Sequence, residues 1–121
     1  MARILIIEDE VVLRDFLARI LEREGYETLT ASDGKEGIKI YRENPIDLII
    51  TDLIMPEKDG LETIMELLQD FKDVKIIAMS GGGKIDSKTY LEIAKTMGAT
   101  KTIKKPFNPE ELLKIVQEIL Q

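Results

Sequence analysis

The sequence predicts an α/β fold, a doubly wound five-stranded parallel sheet in the order 2-1-3-4-5 with helices on both faces. Three observations predict it. Four short apolar runs each stop at a polar residue: Ile4-Leu5-Ile6-Ile7 at Glu8-Asp9, Leu48-Ile49-Ile50-Thr51 at Asp52, Val74 to Met79 at Ser80, and Thr102-Ile103-Lys104 at Lys105-Pro106. Helical patterns lie between the runs, joined by loops of a few residues, and strictly alternating βα units call for a parallel sheet layered between helices. Right-handed crossovers place helices on both faces only if strand order reverses once, between the first and third strands.

Each element has a local reason. The first strand is expected over residues 3–8 and a helix over 10–24, with Leu13, Phe16, Leu17, Ile20 and Leu21 spaced as one buried face and Gly25 as its stop. Residues 26–31 form a less apolar strand, expected at an edge; Ser32 or Asp33 then caps a helix carrying Ile38 and Tyr41 that ends by Asn44-Pro45. Residues 47–51 are nearly continuous apolar chain, as suits a strand covered on both faces. After the loop from Met55 to Gly60, a third helix turns Leu61, Ile64, Met65 and Leu68 inward. The fourth strand covers 75–79; Ser80-Gly81-Gly82-Gly83 leads to a helix through Tyr90, Ile93, Ala94 and Met97, closed by Gly98. The fifth strand covers 100–104. Asn108-Pro109-Glu110-Glu111 supplies a cap, a proline at the first helical position and first-turn acids, ahead of Leu112, Leu113, Val116, Ile119 and Leu120.

Composition narrows the chemistry. The 121 residues, 44% hydrophobic and 33% charged, are expected to form one domain spanning 1–121 around a single core. Cys and His are both absent, which excludes disulfides, thiolate sites, imidazole catalysis and ordinary zinc sites. A net charge of -6 disfavours direct nucleic-acid binding, despite Lys101, Lys104 and Lys105 lying close together. No stretch is long enough to span a membrane and no signal-peptide pattern precedes the first strand, so a cytoplasmic address is expected.

Open parallel sheets bind ligands at the carboxyl ends of their strands, at the point of reversal. Glu8, Asp9 and Asp52 fall there. Two carboxylates about 4 Å apart repel by roughly 4 kcal/mol at an effective dielectric near 20, so the cluster needs a cation or a protonated member. Hard oxygen ligands with room for water and phosphate suit Mg2+. Asp52 is the natural nucleophile toward phosphorus, Ser80 can donate to a phosphoryl oxygen, and Lys105 can supply an opposing positive charge, aimed by the turn at Pro106. The glycines after Ser80 do not make a phosphate-binding P-loop, which needs Gly at Ala78 and Ser or Thr at Ile85.

Together, Glu8-Asp9, Asp52 with Met55-Pro56 and Asp59-Gly60, Ser80, and Lys105-Pro106-Phe107 resemble the receiver domain of bacterial response regulators, of the chemotaxis-regulator kind. The resemblance covers essentially the whole chain and implies a flavodoxin-like three-layer sandwich. It implies that Asp52 is the phosphoacceptor, taking a phosphoryl group from a histidine kinase or phosphotransfer protein. Asp9 and Asp52 would then ligate Mg2+ directly, Glu8 through water, and the Ile54 main-chain carbonyl would add a ligand. Ser80 and Lys105 would hold the phosphoryl oxygens, and the Lys105-Pro106 bond would be cis. Output would pass through the fourth helix, fifth strand and fifth helix to a downstream protein, a covalently linked output domain or a homodimer partner. The chain departs from the family at Thr102, where an aromatic switch residue is common, and at Ile54, where polar side chains are common. The segment from Ser80 to Lys105 is also a few residues longer than in the compact chemotaxis type.

Two other function classes share the architecture. A Mg2+-dependent phosphatase-like enzyme would use Asp52 as a transient nucleophile, but it needs a second acid and a cap, neither visible in the sequence. A flavodoxin-like nucleotide binder needs hydroxyls and amides after the first strand, where this chain has acids that repel phosphate. The reading favoured is a phosphoacceptor switch that catalyses only its own phosphorylation and dephosphorylation.

Overall fold

The computed structural model describes residues 2–53, 60–81 and 87–121. Among the described residues ten elements alternate: β1 (Arg3–Ile7), α1 (Val11–Arg23), β2 (Glu27–Ala31), α2 (Gly34–Glu43), β3 (Leu48–Asp52), α3 (Gly60–Asp70), β4 (Ile76–Ser80), α4 (Ser87–Met97), β5 (Lys101–Lys104) and α5 (Pro109–Leu120). The strands form one sheet in the order β2-β1-β3-β4-β5, and every pairing is parallel. The predicted reversal between the first and third strands is present.

Successive side chains of a strand point to opposite faces, and here that alternation splits the core in two. Ile4, Ile6, Leu48, Ile50, Ile77, Met79 and Ile103 face α1 and α5, packing on Leu17, Leu21, Leu112 and Val116. Leu5, Ile7, Ile49, Ile76 and Ala78 face the other way, onto Ile38, Ile64, Leu67 and Ala94 of α2, α3 and α4. β3 and β4 are buried at all five positions, whereas the edge strand β2 is buried only at Ala31, as its weaker apolar pattern predicts. The caps also follow from the sequence: Asp33 accepts from the Glu36 amide at 2.8 Å, and Asn108 from the Glu110 amide at 2.8 Å.

Three residues expected to face inward do not. Phe16, Met65 and Ile93 are all exposed, at 47%, 51% and 42%. Each lies about 100° around its helix from a buried neighbour (Leu17, Ile64 and Ala94), so each falls outside the stripe that reaches the sheet. The stripe of α3 runs instead through Ile64 and Leu67, the latter not assigned from periodicity.

Candidate functional site

The register decides which strand ends meet. Ile7 pairs with Thr51, so the next residues, Glu8 and Asp52, emerge side by side from adjacent strands; Asp52 pairs with Met79, and Ser80 with Lys104. One carboxylate oxygen from each of Glu8, Asp9 and Asp52 falls within a 4.8 Å cluster. Glu8 is 1% exposed and Asp52 8%, while Asp9 is open to solvent.

The Lys105 ammonium lies between the two buried acids, 3.1 Å from Glu8 Oε1 and 3.1 Å from Asp52 Oδ2. Its main chain is fixed to the neighbouring strand end, the Lys105 amide donating to the Ser80 carbonyl at 2.8 Å. The Lys105-Pro106 bond is cis. Gly81 lies against the Lys105 main chain so closely that a Cβ there would come within 2.5 Å of the Lys105 carbonyl oxygen. Gly60 makes a second close approach, where a Cβ would fall 2.2 Å from the Asp52 carbonyl oxygen. These two glycines let the chain pass against the main chain of Lys105 and of Asp52, a role that their motifs hint at but only the packing specifies.

Each buried carboxylate also takes a main-chain donor. Asp52 Oδ1 accepts from the Leu53 amide at 2.8 Å, and Glu8 Oε2 from the Glu10 amide at 3.1 Å. Burial, reinforced by the Asp52 charge, nevertheless pushes the Glu8 carboxyl from 4.5 up to about 7, against the pull of the Glu10 amide and Lys105. Burial alone would lower Lys105, but Asp52 and Glu8 outweigh it and hold the ammonium above its ordinary value. Both expected remedies for crowded acids are therefore represented: a neighbouring cation, and a carboxyl that burial makes hold its proton more tightly.

The Ser80 hydroxyl is the orphan of the site. Its oxygen is buried and has no hydrogen-bond partner among the described residues, an expensive arrangement unless water or a ligand atom completes it. Three hard oxygen donors, an ammonium and an unsatisfied hydroxyl on one edge fit a divalent cation beside a phosphoryl group. Glu8, Asp9, Asp52 and Lys105 thus come together as the sequence predicts, and Ser80 closes the neighbouring strand; the Ile54 carbonyl, Met55-Pro56, Asp59 and Gly82-Gly83 lie outside the described residues. Sequence reasoning missed Arg14, whose Nη1 donates to the Glu8 carbonyl at 3.1 Å. A basic residue one turn into the helix that follows the acid pair is the signal that could have found it.

A sequence pattern of the response regulator receiver domain matches residues 4–117. The chain belongs to the response regulator receiver domain family. This receiver domain is 32% identical over 121 residues to transcriptional regulatory protein CpxR of Klebsiella pneumoniae, a match covering 100% of this chain and 50% of CpxR. The chain thus spans about half the length of the curated relatives it matches. A response regulator receiver domain protein from Clostridium thermocellum superposes with a TM-score of 0.91 at 30% identity, over 99% of this chain and 94% of that one. Response regulator protein TrrA from Thermotoga maritima, solved in complex with Mg(2+)-BeF, gives 0.88 at 35% identity, over 99% and 100% of the two chains. The acidic pocket of Glu8, Asp9 and Asp52 is of the kind typical of the receiver's phosphoacceptor site. Among the described residues, no helix is long and apolar enough to cross a membrane.

Proposed function

We propose that this receiver domain is a phosphoacceptor switch of a two-component or phosphorelay system. An oxygen of Asp52 attacks the phosphorus of a phosphohistidine on a histidine kinase or phosphotransfer protein. An O–P bond forms as the N–P bond breaks, and the donor imidazole leaves with the electron pair. Asp9 and Asp52 would hold Mg2+ directly, with Glu8 acting through water and the Ile54 carbonyl as a further ligand. When bound, the ion neutralises charge between the carboxylate and the incoming phosphoryl group. Mg2+ is the favoured cation because the donors are all oxygen, and TrrA is a relative crystallised with Mg(2+)-BeF.

The chain's own residues do the rest. Ser80 donates its hydroxyl to a phosphoryl oxygen, and Lys105 exchanges its contact with Asp52 for another phosphoryl oxygen. Thr102 offers no ring to rotate, so Ser80 and the glycine loop after it carry the change toward α4, β5 and α5. That face meets a downstream protein, an output domain in the same polypeptide, or a second copy. The domain contacts neither nucleic acid nor membrane itself, works in the cytoplasm, and turns over no substrate beyond its own acyl phosphate.

The observation that carries this reading is the meeting of three carboxylate oxygens within 4.8 Å with the Lys105 ammonium 3.1 Å from two of those acids. Labelling with acetyl phosphate tests it. Wild-type protein is expected to take up phosphate only with Mg2+ present, and Asp52→Ala to fall to background. Equal labelling of both proteins removes Asp52 from its role.

A further inference from the structure

Among the acids of the site, Asp9 is held differently. Glu8 and Asp52 are each pinned by Lys105 and by a main-chain amide. The Asp9 carboxylate is exposed and accepts no hydrogen bond among the described residues, yet one of its oxygens lies within 4.8 Å of theirs. Its placement is therefore inherited from the backbone. The peptide joining Glu8 to Asp9 is a rigid plane, so the direction of the Glu8 carbonyl sets the direction in which Asp9 leaves. That carbonyl lies beyond the end of β1 at Ile7 and accepts from Arg14 Nη1 at 3.1 Å. Arg14 is itself well seated: it is half-buried, and its amide donates to the Glu10 carbonyl at 2.9 Å in the first turn of α1.

We propose that Arg14 is a positioning residue for the cation site, holding the Glu8–Asp9 peptide plane and through it the Asp9 carboxylate. It touches neither the cation nor the phosphoryl group. The inference rests on the cation-binding reading above and adds a residue outside the acidic trio on which affinity depends. Removing an outer partner of a metal ligand typically lowers affinity 10- to 100-fold. Arg14→Met retains the apolar stem and loses the donor; Arg14→Lys retains a donor without the fork.

Binding of Mn2+ to the full chain, followed by electron paramagnetic resonance, tests the proposal alongside Mg2+ titrations of acetyl-phosphate labelling. Arg14→Met is expected to bind Mn2+ roughly tenfold or more weakly than wild type, and Arg14→Lys to fall between them. Half-saturating Mg2+ should rise in parallel while labelling at saturating Mg2+ returns near the wild-type rate. If Arg14→Met binds Mn2+ within about twofold of wild type, the proposal is overturned, even where its thermal midpoint drops, because Arg14 then serves fold stability alone. A labelling rate that saturating Mg2+ fails to restore overturns it as well. Should Arg14→Met not fold, Arg14→Leu, which also lacks the donor, decides by the same criterion. Wild-type protein that binds no Mn2+ would instead overturn the cation-binding reading itself, an outcome visible before any variant is made.

Discussion

Among the described residues, two cations each reach two acids, and the two clusters behave differently because of where they sit. Arg42 of α2 reaches Asp70 and, at 3.7 Å, Glu66 of α3, with side chains 36–48% exposed. Lys105 reaches Glu8 and Asp52 at 3.1 Å each, with side chains 18%, 1% and 11% exposed. Water screens the first cluster, so it can do little more than help join two helices, aided by the Arg42 guanidinium 5.4 Å from the Phe71 ring centre. In the second, desolvation raises Glu8 to about 7 and leaves the charges dependent on one another. The same residue types make surface dressing in one place and a poised site in the other. Burial makes the difference.

Lys105 separates the two clusters most sharply. Lys105→Ala leaves two buried carboxylates without their cation and is expected to cost about 3 kcal/mol or more near pH 8, read from denaturant unfolding without divalent ions. Adding Glu8→Gln should recover part of that loss, because the mutual repulsion goes with the charge. Phosphorylation should survive at least partly in Lys105→Ala while the conformational response is lost; a normal response would show that the ammonium is only a tether.

Next in size is the effect of Glu8 itself. A carboxyl raised on folding binds its proton more tightly in the native state. Its stabilisation is therefore complete below about 4.5 and is lost as pH rises through about 7. For this shift the loss corresponds to about 3 kcal/mol, so metal-free wild type should lose stability across that window relative to Glu8→Gln. Parallel pH curves for the two proteins would contradict it. The smallest effect belongs to the exposed cluster: Arg42→Ala should cost under about 1 kcal/mol, partly suppressed by salt. A loss comparable to that of Lys105→Ala would show that exposure is not what separates the clusters.

Much of this was legible before any coordinates. The apolar runs gave the strands, Asp33 or Ser32 and Asn108 gave the caps, and the weaker run at 26–31 gave an edge. The polar residues closing the runs named Glu8, Asp9, Asp52, Ser80 and Lys105 as one edge, because a parallel sheet carries every strand end to the same side. Less legible were Phe16, Met65 and Ile93, since periodicity marks a broad apolar sector while contact with the sheet covers a narrower stripe.

From the sequence alone came local conformation, strand order and the identity of the groups at the sheet's edge, all matters of pattern and chain connectivity. Only the packed chain decided that the Lys105 ammonium settles between Glu8 and Asp52, that the Ser80 hydroxyl has no partner among the described residues, and that Arg14 grips the Glu8 carbonyl. Those outcomes depend on distances between groups remote in sequence and on how much water remains around them. Electrostatic energy responds to both, and no linear pattern of residues encodes either.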